Sequence, residues 1–303
     1  MFLKAAFKDS HVFVQLLMIL VVIAFGMIFS IFLTSLLIVF KVGISPETII
    51  KVQQNIFDYP ELIRGMQFLQ TLGLFLLPAI ICAWLFSDNY KEYLRIDQPV
   101  YTTVAGWTVI SMIVAVPFLN WTYALNQQMV FPEAFKGLET WMKESEAAAS
   151  RITDTLLDTK NISTIVFNFL AVCVIAAISE EFIFRGLLQT FFGKVIRNPH
   201  VLIWTIAILF SAIHLQFYGF ITRMLLGAWL GYLMYYTKTI WIPVLAHFIT
   251  NFISIGFYYL FQDTPDKIQK IDAIGTGSTW WLSFASIAMF FFCFSRIKKA
   301  VAQ

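Results

Sequence analysis

The stretch Val12–Phe40, VFVQLLMILVVIAFGMIFSIFLTSLLIVF, contains no charged residue. A helix rising about 1.5 Å per residue crosses the hydrocarbon core of a bilayer in about 20 residues. This stretch is longer than that, so it reads as a membrane span. Lys4 and Lys8 precede it. The run is too long for a signal-peptide core and no small-residue cleavage site is evident, so it is expected to be a retained first span.

Further apolar runs fall at Gly65–Phe86, Val104–Leu125, Ile162–Phe192, Val201–Leu215, Phe220–Tyr236, Ile240–Phe261 and Thr279–Phe294. Together they predict an all-α polytopic membrane protein with about eight transmembrane helices. Composition agrees: of 303 residues, 59% are hydrophobic and only 13% charged, with a mean hydropathy of +0.76. Soluble domains carry about 25% charge, so a water-soluble globule is excluded, as are disordered, collagen-like and disulfide-scaffold classes. The net charge of +3 comes with no basic block, so nucleic acid is not an expected partner. Cys82, Cys173 and Cys293 lie singly in apolar runs, which argues against disulfides and a cysteine metal site.

The chain is expected to form a single integral membrane domain over 1–303. Residues 1–125 would supply three spans, 126–161 a polar connector, 162–261 the core, and 262–303 a loop and the last span. Within the connector, Phe135, Leu138, Met142, Ala149, Ile152 and Leu156 share one helical face. That face suits an amphipathic helix on the membrane surface or a solvated connector. Lys4, Lys8, Lys91, Arg95, Lys194, Arg197 and Lys238 fall in short segments on one side of eight spans. The positive-inside bias therefore puts both termini in the cytosol.

An ionisable group within a span is costly and marks function by default. Here all such groups lie between residues 180 and 247: Glu180, Glu181, Arg185, His214, Arg223 and His247, with Asn251 one turn beyond. Glu181 and Arg185 can pair at i,i+4, whereas Glu180 points about 100° away from Glu181. Depths agree as well. Counted from the turn at 193–200, Glu180 lies about 18 Å in and His214 about 21 Å, while His247 and Asn251 lie about 12 and 18 Å in from the same side. Arg223 reads as a snorkelling or interface residue.

A carboxylate buried beside two imidazoles can take a proton from water. An imidazole and a carboxamide one turn apart can donate to a developing oxyanion. Together they describe hydrolysis of an amide with water as nucleophile. No G-x-S-x-G elbow and no H-E-x-x-H motif is present. Glu180, His214 and His247 could equally hold a catalytic zinc with an open position. A carboxylate-activated water and a metal-bound water both stay open.

Glu180-Glu181-Phe182-Ile183-Phe184-Arg185 reads E-E-x-x-x-R, Phe210 to His214 reads F-x-x-x-H, and His247 to Asn251 reads H-x-x-x-N. In that order and in separate spans, the three resemble the CPBP family of type II CAAX prenyl endopeptidases and bacteriocin-processing, Abi-type membrane proteins. The resemblance covers about Ile162–Phe261. It implies an intramembrane protease of a bacterial inner (plasma) membrane, with eight helices around a polar cavity open to the cytosol and to lipid. Glu180 would activate the water, His214 would hold it, and His247 with Asn251 would form the oxyanion site. Glu181, Arg185 and Phe210 would support them. The substrate would be a peptide or a prenylated CAAX protein. The family is often called metalloprotease, although a metal-free, glutamate-dependent mechanism fits the same residues. The rival readings are a proton-coupled transporter, which predicts Gly/Pro breaks in paired helix positions where the sequence offers only Pro117 and Pro243, and a catalytically silent immunity or scaffold protein.

Overall fold

The computed structural model of the protein describes residues 3–302, and every regular element among them is helical. The longer helices are α1 (Val12–Val42), α2 (Pro60–Phe86), α3 (Thr102–Gln127), α4 (Lys136–Leu157), α5 (Ile162–Phe192), α6 (Pro199–Ala212), α7 (Phe220–Thr237), α8 (Trp241–Phe261) and α9 (Trp281–Val301). Six of them, α1, α2, α3, α5, α8 and α9, are long and apolar enough to cross a membrane. The chain is a polytopic all-α membrane protein.

The fifth and sixth expected spans are the short ones. Helix α6 has 14 residues and α7 has 18. At about 1.5 Å per residue α6 covers about 21 Å, less than the roughly 30 Å hydrocarbon core. It starts on a built-in signal: the Asn198 side chain accepts from the His200 and Val201 amides, and Pro199 occupies the first turn, where a missing N–H costs nothing. It stops at Ala212, and Leu215 then turns through φ 53°.

The chain divides into two compact units, one of residues 1–95 and 150–194 and the other of 96–149 and 195–303. The division falls inside α4 and inside the expected 162–261 core.

In the first unit α1 packs on α2 where two glycines meet. A Cβ on Gly26 would sit 2.0 Å from the Gly73 carbonyl oxygen, and one on Gly73 would sit 2.6 Å from that of Gly26. Only glycine permits this approach, the small-residue contact that membrane helices use in place of a hydrophobic drive. The carboxyl end of α4 is also fastened here. Arg64 Nε and Nη2 donate to the Leu156 and Thr155 carbonyls at 3.1 and 3.3 Å, and Asn168 Nδ2 donates to Leu156 at 2.7 Å. These donors satisfy carbonyls that a helix end leaves without an intrahelical partner. Met142, Leu156 and Leu157 of α4 are buried, whereas Phe135, Leu138 and Ile152 stay exposed.

In the second unit α3 runs along α9, and α6 along α7. Pro117 lies inside α3, and its carbonyl accepts from Ser283 Oγ of α9 at 2.9 Å. The Trp229 ring of α7 stacks edge-on against Phe290 and Phe294 of α9, with centroids 4.4 and 5.2 Å apart. Aromatic pairs in this arrangement add about 0.5–1.5 kcal/mol each beyond burial.

Candidate functional site

The acidic pair sits on α5 in the first unit. Helix α5 is not regular: π-helical turns at Phe169–Ile175 and Phe182–Leu188 bracket the α-helical Ala176–Glu181. Such turns, which widen the helix by one residue, recur at functional sites. Glu181 and Arg185 are fully buried and joined, Arg185 Nη1 donating to Glu181 Oε1 at 2.9 Å. Glu180 differs, being only half-buried. Of two adjacent carboxylates, one is enclosed with its own counter-ion and the other keeps access to its surroundings. Ser179, immediately before them, is also fully enclosed.

The imidazoles belong to the second unit and meet around one ring. His214 and His247 each present an edge to Phe210, with centroids 5.2 and 5.9 Å away. Phe210 is 1% exposed and His247 5%, so the ring is a fixed spacer between them. His214 Nδ1 lies 2.7 Å from the Phe210 carbonyl oxygen. A carbonyl only accepts, so Nδ1 carries the proton, and the neutral ring offers Nε2 as its acceptor. Asn251 lies one helical turn beyond His247 on α8, half-buried.

His214 was expected within a span. It stands instead in the turn after α6, because the helix ends at Ala212. That turn is heavily tied. Asn126 Nδ2 donates to the Phe217 carbonyl at 3.0 Å, and its Oδ1 accepts from the Ile221 amide at 2.7 Å. The Tyr218 amide donates to Glu146 Oε2 at 3.2 Å, and Ser211 Oγ donates to the Phe220 carbonyl at 2.7 Å. The Arg223 guanidinium donates to the Gln216 carbonyl and, at 2.6 Å, to Gln216 Oε1.

Sequence reasoning passed over these supports. Asn126 lies at the polar end of an apolar run, and Glu146 lies in the connector, where a carboxylate needs no explanation. Asn168, 1% exposed within α5, did carry a signal, being an amide inside an apolar run.

Among the described residues no three His, Cys, Asp or Glu side chains are gathered as a metal ion would require.

Residues 162–253 match the family model described as type II CAAX prenyl endopeptidase Rce1-like. A Bacillus subtilis (strain 168) protein described as uncharacterized protein YpbD is 27% identical over 123 residues, covering 38% of this chain. The chain spans 58% of that relative's length. No solved structure matches.

Proposed function

We propose that this chain, which carries an Rce1-like segment over residues 162–253, is an intramembrane endopeptidase whose water is activated by Glu180. The observation that carries the reading is the pairing of His214 and His247 about Phe210, with His214 held so that Nε2 is its acceptor. A ring fixed in that tautomer suits a water that gives one hydrogen bond to an imidazole and one proton to a carboxylate. The half-buried Glu180 supplies the carboxylate; Glu181 is committed to Arg185.

In the proposed reaction the scissile carbonyl carbon is attacked by water. The new C–O bond forms as Glu180 takes one water proton, while His214 Nε2 accepts a hydrogen bond from the other. The carbonyl oxygen becomes an oxyanion and is met by an N–H of His247 and by Asn251 Nδ2. Donors placed on such an oxyanion contribute about 2.7–4 kcal/mol each. The C–N bond then breaks as Glu180 returns its proton to the leaving nitrogen. Glu181 and Arg185 set the pitch of α5 and touch no substrate.

The substrate class is a membrane-anchored peptide, a prenylated CAAX sequence being the first to test. We place both termini on the cytosolic side of a bacterial plasma membrane, on the strength of the short basic segments. The deciding experiment incubates the full chain in liposomes with a farnesylated CAAX peptide and measures release of the terminal tripeptide. Wild type should cleave, and Glu180→Gln should be slower by about 10²–10⁴-fold. Equal rates in the two proteins would overturn the mechanism.

A further inference from the structure

A second feature of the C-terminal half lies away from these hydrolytic residues. Within the second unit, α3, α6, α7 and α9 enclose a cavity of about 450 Å³, in the range of ligand sites at about 300–1,000 Å³. Its walls are almost wholly apolar. It runs from Leu119 and Ile287 at one end to His200, Tyr236 and Phe294 at the other. Ile287 and Lys298 are separated on α9 by about 16 Å of helix, close to the depth of one leaflet at about 15 Å.

Polar groups in the wall are few: Ser286 already donates its Oγ–H to the Val114 carbonyl, and Trp229 Nε1 is enclosed away from the cavity. At the His200 end, Lys298 lies over two lining rings, its Nζ 4.9 Å from the Tyr236 centroid and 5.5 Å from that of Phe294. Arg296 and Lys299 stand beside it in sequence. An apolar slot one leaflet deep with a cation at its mouth matches one chemistry.

We propose that this cavity holds an anionic glycerophospholipid of the surrounding bilayer. Its acyl chain fills the slot between α3, α6, α7 and α9. Its headgroup phosphate faces Lys298. Basic pockets between membrane helices recognise headgroups in this way.

The test uses the full chain purified in detergent and native mass spectrometry, with phosphatidylglycerol and phosphatidylcholine as probes. Wild type should retain phosphatidylglycerol in preference to phosphatidylcholine. Lys298→Gln, at an exposed position, should cut that preference about fivefold. Equal retention of the two headgroups by wild type would overturn the proposal. So would a headgroup preference that survives Lys298→Gln.

Discussion

The Glu181–Arg185 pair gives the sharpest energetic expectation. Both side chains are fully enclosed, with Nη1 and Oε1 2.9 Å apart. Opposite charges about 4 Å apart attract by about 4 kcal/mol at an effective dielectric of about 20. Removing one member of a buried pair leaves the other charge stranded and costs about 3–5 kcal/mol, whereas replacing both by apolar side chains is often neutral. Arg185→Met and Glu181→Leu alone should therefore each be severely destabilised, and the double variant should be more stable than either. At roughly 2–4 °C per kcal/mol, each single change should lower the melting temperature by about 6–20 °C. Thermal unfolding of the full chain in detergent, followed by size-exclusion chromatography after heating, reads this directly. A coupling of about 2–3 kcal/mol is expected from the cycle. Single losses under about 1 kcal/mol, or a double variant as damaged as the two losses added together, would refute the reasoning and leave Glu181 available for chemistry.

Three more outcomes follow from the same geometry. Glu180→Ala and His214→Ala should each abolish most peptide release, and the double variant should be no worse than either, because the two would act on one water; single-turnover rates check this. Asn251→Ala should lower kcat by about 10²–10³-fold with little change in KM, as loss of an oxyanion donor does, measured by steady-state cleavage of the farnesylated peptide. Gly73→Ala places a Cβ 2.6 Å from the Gly26 carbonyl oxygen and should destabilise the full chain by about 1–3 kcal/mol, read as a lower melting temperature, whereas Gly106→Ala, with open space around its Cβ, should not.

Much of the architecture was legible because spans declare themselves by uninterrupted apolar length. Val12–Phe40 became α1 to within two residues, and Ile162–Phe192 coincides with α5. The i,i+4 spacing of Glu181 and Arg185 announced their ion pair, since 3.6-residue periodicity puts them on one face. The π-turns of α5 were not legible, because hydrophobic periodicity does not register one extra residue in a helix that is apolar all round. The stop at Ala212 was hidden for a similar reason: Ile213 and Leu215 continue the apolar pattern, and only backbone geometry ends the helix. The supports of the 216–219 turn depend on Asn126 and Glu146, roughly 70 to 90 residues away along the chain, and no local pattern carries a pairing of that range.

The central proposal is that the Glu180 carboxylate, on one compact unit, and the His214 imidazole, on the other, share a water molecule. Cysteines at these two positions, in a chain whose Cys82, Cys173 and Cys293 have been replaced by alanine, can be offered a short bifunctional thiol reagent in native membranes. Two groups that share one water stand within about two hydrogen-bond lengths, so efficient cross-linking is expected for Glu180→Cys with His214→Cys. No cross-link at the first pair, with both thiols shown to react singly, would contradict the peptidase reading.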